Sequence, residues 1–246
     1  MTVVIKIGGA VAPLATTSNE LADAWGKRPA GQAWIVVHGA GPQLDAALLQ
    51  VSGPAIKVDG LRVTDLAAAT TVREVMDQVG ARLARDLRDR GVPAIHMPAV
   101  LRLFAAHAKD AARLSRVGTV DAFAADILGT CIPADTIAVV TPVAWDQEGP
   151  LNVNADEGAA AVARGVGAQR LVMATDVDSV HDALGQPIVR MNPTSARAFL
   201  ASAAAQGGMR PKVQAALDVL EHGVREVRIG RVRCAWQDAG TCLAPQ

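Results

Sequence analysis

The chain has 246 residues, half of them apolar, with 24 basic and 24 acidic side chains, so it can bury a core without metals or disulfides and is not disordered. Divided after Trp145, the first part carries 14 Lys+Arg against 13 Asp+Glu and the rest 10 against 11; neither has the basic excess that a nucleic-acid backbone selects. No apolar run nears the roughly 18 residues that cross a bilayer, and no basic-then-apolar leader opens the chain, so no membrane partner and a cytoplasmic setting are expected. Cys131, Cys234 and Cys242 form no CxxC pair, which points to reduced thiols rather than a metal site.

In chain order, short β-branched runs alternate with helical patterns. A strand is predicted at Val3–Ile7, another at Trp34–His38, and a helix at Pro42–Gln50. Lys57–Thr64, with its Asp59-Gly60, reads as a small hairpin. Val72, Val75, Val79, Leu83 and Leu87 recur at three- or four-residue spacing, predicting a helix over Leu66–Arg90 that Gly91 ends. Strands follow at Pro93–Met97, Ile137–Pro142, Arg170–Thr175 and Glu226–Ile229, with helices at Ala155–Gly165, Thr194–Ala205 and Met209–His222. Continuous apolar strands are those buried on both faces. The expected fold is therefore α/β: a three-layer sandwich around an open, mainly parallel sheet, with ligands at the carboxyl ends of its strands.

Four segments at strand ends or helix starts carry the chemistry. Ile5-Lys6-Ile7-Gly8-Gly9 and Val37-His38-Gly39-Ala40-Gly41-Pro42 each run a strand into glycines, whose exposed N–H groups suit an anion. Neither is a GxxxxGK[ST] or GxGxxG fingerprint. Asn152 and Asn154 alternate with Val153, offering amides on one side, and Asp156 follows at a helix start. Gly207-Gly208-Met209-Arg210-Pro211-Lys212 puts a lysine where the helix dipole disfavours cations. Only five lysines stand against 19 arginines, so Lys6 and Lys212, both beside paired glycines, stand out.

The set VIKIGGA at 4–10, VVHGAGPQ at 36–43, VDGLRVTD at 58–65, LNVNADEGAA at 151–160, ATDVDSV at 174–180 and GGMRPKV at 207–213 resembles the amino acid kinase family. GLRVTD and NVNAD are similar to its branch acting on N-acetyl-L-glutamate. The resemblance implies phosphorylation of that acid's side-chain carboxylate by ATP, with Mg²⁺ delivered on the nucleotide, in arginine biosynthesis. It also implies an amino acid lobe over about residues 1–165, an ATP lobe over about 166–246, and a homodimer. By the same resemblance Lys6 and Lys212 neutralise the transferring phosphoryl group and Asp156 orients both. Arg62 and Asn152, with Asn154 beside them, hold the α-carboxylate, while backbone at Gly8, Gly9, Gly39, Ala40 and Gly41 cradles the reacting groups. Asp176, Val177, Asp178, Ser179, Gly207, Gly208 and Met209 line the nucleotide; no residue is assigned to a metal.

The chain departs from the family at three places. Ala40 replaces the middle glycine of HGGG, where a left-handed backbone would cost an alanine about 1–2 kcal/mol. Pro98–Leu103 replaces a serine-glycine-rich loop that helps enclose the substrate in relatives, and Ser179 replaces a frequent glycine. Arginine-inhibited relatives carry an extra N-terminal helix, so an arginine-insensitive enzyme is expected. Two alternatives stand beside the main reading: a kinase of an aminoadipate derivative in lysine biosynthesis, and an impaired ligand-binding relative. His38 is expected to hydrogen-bond to backbone at its strand end, with no histidine catalytic.

Overall fold

The computed structural model describes residues 1–8, 14–54, 56–58, 61–205, 209–221 and 223–245. Its centre is an eight-stranded sheet in the order Arg190–Met191, Thr241–Leu243, Val227–Gly230, Arg170–Ala174, Thr2–Ile7, Ala33–His38, Ile137–Val140, Ala94–Met97. Neighbours run parallel except Val227–Gly230 against Thr241–Leu243. The six strands read from the sequence fill six consecutive places, because both faces of that part are covered and its strands are apolar throughout.

One face carries Val4, Ile35, Val37, Val140, Leu171, Met173 and Ile229, in one core with residues of helices Ala155–Gly165, Pro193–Ala201 and Met209–Glu221. The other carries Val3, Ile5, Val36, Val139 and Val172, packed with helices Leu14–Lys27 and Leu66–Arg88. The strand period of two places Lys6 with Val4, toward the Ala155–Gly165 helix, and His38 with Trp34 and Val36 on the opposite face.

Local chemistry fixes the helix starts. Asp65 caps Leu66–Arg88 by accepting from the Ala68 N–H at 2.7 Å, and Asn154 caps Ala155–Gly165 by accepting from the Asp156 N–H at 2.9 Å. The second helix is built of small residues that let it lie close to its neighbours: a Cβ on Gly158 would stand 2.8 Å from the Pro142 Cβ.

Several elements were not read from the sequence: helices Leu14–Lys27 and Ala125–Cys131, the two short strands Arg190–Met191 and Thr241–Leu243 at one end of the central sheet, and a small closed set of strands, Phe104–Ala108, Val117–Phe123, Val143–Trp145 and Pro150–Val153. The expected hairpin is present as Lys57–Val58 against Leu61–Arg62, its Asp59 and Gly60 lying outside the described residues. No disulfide joins the cysteines; Cys131 is exposed and Cys234 and Cys242 are buried. Among the described residues no helix is long and apolar enough to cross a membrane.

The Leu66–Arg88 helix backs onto two imidazoles. A Cβ on Gly80 would lie 2.6 Å from His96 Nε2 and 2.7 Å from His38 Nε2. His96 Nε2 also lies 2.9 Å from Thr141 Oγ1. His38 is 1% exposed; its backbone contact is with Gly39, as expected at the strand end, but that contact leaves both ring nitrogens short of a well-formed hydrogen bond. Its ring projects off the sheet toward a helix whose own backbone groups are already paired. Burial first, then the proximity of His96, pushes the His38 pKa down to about 3; the Gly39 backbone opposes this in part.

Gly80→Ala is expected to cost about 1–3 kcal/mol by overpacking and to lower the melting temperature by several degrees. An unchanged melting temperature would mean the two rings have room to retreat.

Candidate active site

Parallel register brings the glycine-rich segments to one edge. Ile7 stands opposite both His38 and Ala174, and Ala174 opposite Gly230. Gly8, Gly39–Gly41, Thr175–Ser179 and Arg231 therefore leave adjacent strand ends. The Gly39 N–H donates to the Ile7 carbonyl at 2.9 Å, joining the first two loops at their base. Gly9, Gly207 and Gly208 lie outside the described residues.

Lys6 is 9% exposed, and its Nζ is 2.8 Å from Asp156 Oδ1. Oδ1 has no hydrogen-bond donor, so the contact is an ion pair held by charge. A lysine this deep keeps its charge at a tolerable cost only beside such a partner. Asp156 is fixed in turn by its place in the first helical turn, where the dipole favours a carboxylate.

A cavity of about 260 Å³ opens nearby, lined in part by Gly39, Ala40, Gly41, Arg62, Asn152 and Asn154. Six of the eight acceptor-site residues predicted from the sequence thus share one space; Gly8 is not in its lining. The Asn152 amide donates to Thr64 Oγ1 at 3.1 Å, and the Arg62 guanidinium pairs with Asp45, which also lines the cavity. The Asn154 carbonyl oxygen is committed to its helix cap.

Ala40 has φ −141° and ψ 37°, so the expected left-handed strain is absent. Its methyl is 2% exposed and packs in a cluster with Leu48, Val72, Met76 and Val79. No residue from 98 to 103 lines the cavity. That segment is tied down elsewhere: the Ala99 N–H donates to Asp77 and the Trp145 indole donates to the Ala99 carbonyl. Arg102, at φ 50°, lies 4.9 Å over the Trp145 ring. Lys57 is a lining residue that sequence reasoning missed. The hairpin register, which sets it opposite Arg62, was the available signal.

At the other strand ends, Thr175 Oγ1 donates to Asp176 at 3.0 Å. That bond and the residue's own N–H, aided more weakly by Lys212 and Arg231, hold the exposed Asp176 carboxyl below the usual carboxylate range. Lys212 sits in the first turn of Met209–Glu221, which packs against Ala155–Gly165. Asp178 accepts from Arg231 and Arg233 at 2.9 and 2.7 Å, two partners the sequence reading did not name. Ser179 is buried, without the positive φ that would demand glycine, while Val177 and Met209 are half-buried. Among the described residues, no group of three or more His, Cys, Asp or Glu is placed to hold a metal.

Comparison with known proteins gives the same architecture a family. An acetylglutamate kinase of Geobacillus stearothermophilus is 34% identical over 249 residues, covering 98% of this chain and 93% of that protein. One from Roseiflexus castenholzii is 36% identical over 93% of this chain and 88% of its own. A crystal structure of a Streptococcus mutans protein superposes with TM-score 0.79 at 26% identity, over 100% of this chain and 99% of that one. The model of the amino acid kinase family matches residues 1–231, and with the parallel sheet and its converging strand ends this places the chain in the amino acid kinase family.

Proposed function

We propose that the chain transfers the terminal phosphoryl group of ATP to the side-chain carboxylate of N-acetyl-L-glutamate, making N-acetyl-L-glutamyl 5-phosphate for arginine biosynthesis. The observation that carries this is the cavity gathering Arg62, Asn152 and the Gly39–Gly41 backbone, together with the Lys6–Asp156 pair at the same edge of the sheet. The names of the relatives support the acceptor. On this reading residues 1–165 carry the acceptor and 166–246 the nucleotide.

The chemistry asks little proton transfer of the protein. A glutamyl carboxylate, with a reference pKa of about 4.3, is already ionised at neutral pH, so no general base is needed. The deep burial of His38 fits that. The obstacle is an anion approaching a polyanion, met by position and by cationic and N–H stabilisation of charge on the equatorial oxygens. Lys6, held by Asp156, and Lys212 from the nucleotide lobe supply positive charge. Gly8 and Gly39–Gly41 supply N–H groups. Arg62 and Asn152 hold the α-carboxylate and so aim the side chain. Mg²⁺ travelling on ATP neutralises phosphate charge when bound, and the exposed, readily ionised Asp176 carboxylate is the group of this chain suited to face it.

Hydroxylamine trapping with MgATP is expected to give the hydroxamate of N-acetylglutamate. Product only from an aminoadipate derivative would reassign the acceptor, and none from any acid would leave a binding protein. Lys6→Ala and Lys212→Ala should each lower kcat about a hundred- to a thousand-fold with circular dichroism retained; wild-type turnover in either removes that lysine from the mechanism. Arg62→Ala should mainly raise the KM for the acceptor, leaving that for ATP unchanged. Equal acceptor KM values would displace Arg62 from the carboxylate.

A further inference from the structure

Arg62 and Asn152 come from distant parts of the chain, and one buried side chain touches both segments. Thr64 is 0% exposed. Its hydroxyl donates to the Arg62 carbonyl at 2.9 Å and accepts from Asn152 Nδ2 at 3.1 Å, across 88 positions of sequence. A hydroxyl has a single proton, and here a carbonyl, which only accepts, takes it. Thr64 can then act toward Asn152 only as an acceptor, which selects the amide's NH₂ side and turns its oxygen the other way. Asn152 is thus presented with a defined orientation, its second N–H left for a ligand.

The backbone repeats the link. The Thr64 N–H donates to the Leu114 carbonyl, the Arg116 N–H to the Thr64 carbonyl at 2.7 Å, and the Asn152 N–H to the Arg116 carbonyl at 2.8 Å. Arg116 is itself locked by Asp146 and by the Gly149 carbonyl. Three segments are zipped together, and the Thr64 hydroxyl bonds to Asn152, which lines the cavity. Main-chain bonds explain why the segments meet; they do not explain a polar side chain at a position closed to water. Valine has the same shape and would fill the space.

We propose that Thr64 is a positioning residue of the acceptor site, its hydroxyl setting Arg62 and Asn152 in register for a carboxylate. The proposal rests on the reading of Arg62 and Asn152 given above.

The test compares Thr64→Val, Thr64→Ser and Arg62→Ala in the hydroxamate assay with N-acetyl-L-glutamate and MgATP. Thr64→Val is expected to raise the acceptor KM about tenfold or more, as losing a shared buried hydrogen-bonding group does. Its ATP KM should stay within about twofold, and Thr64→Ser should restore the acceptor KM to within about threefold. A role confined to folding would move both KM values or neither. Should Arg62→Ala raise the acceptor KM while Thr64→Val leaves it alone, the positioning role is overturned and the carboxylate reading survives. If Arg62→Ala itself has no effect, both fall together. If Thr64→Val does not fold, Thr64→Cys, shaped like serine with only a weak hydrogen-bonding group, replaces it, and equal acceptor KM values for the Cys and Ser variants overturn the proposal.

Discussion

A lysine nearly closed to water, on a strand at the centre of the sheet, needs a carboxylate within ion-pair distance, and much of the architecture around it follows. Lys6 meets Asp156 at 2.8 Å, so the Ala155–Gly165 helix must begin against the carboxyl end of the first strand. That closeness is possible because its inner positions are Gly158, Ala159, Ala160 and Ala163, all buried. Asn154 then holds the helix start. Glu157, one residue on, accepts from the Val120 N–H at 2.7 Å and ties the small closed set of strands to the same turn. One helix terminus thereby fixes a charge, a cap and the neighbouring strands at once.

A second buried charge system holds the far side of the sheet. Glu226 and Asp238 each pair with both Arg170 and Arg228, whose side chains are about nine-tenths buried. The Arg170 and Arg228 guanidiniums also donate to the carbonyls of Cys234 and Ala239. Such a network contributes little net stability once desolvation is counted, but removing one member leaves a costly unpaired charge. Its physical effect is to anchor residues 232–239, which follow the Val227–Gly230 strand and carry Arg233, one of the two partners of Asp178.

The central sheet was legible because burial on both faces leaves strands such as Trp34–His38 and Ile137–Val140 continuously apolar. The closed strands were not, because Phe104–Ala108 reads FAAHA, with alanines of low strand propensity and alternating exposure. GLRVTD pointed to a residue that lines the cavity, Arg62, and the glycine-flanked lysines to candidate anion-binding positions, since anion binding needs those residue types wherever the chain runs. What the sequence withheld was three-dimensional. Lys57 faces the cavity only through hairpin register, and Ala40 is unstrained because its backbone lies at negative φ. Thr64 has its place only once residues 62, 114–116 and 152 are brought together.

The buried His38 ring is one of the groups through which this fold meets acid. In the open chain an imidazole takes up a proton near pH 6.5, whereas the folded one resists until about pH 3. Below neutrality the unfolded form therefore holds the extra proton. The contribution of this ring to stability is complete above about 6.5 and drains away as pH falls toward 3. Acid sensitivity is thus written into the interior at the strand end that runs into Gly39, independent of any surface carboxylate.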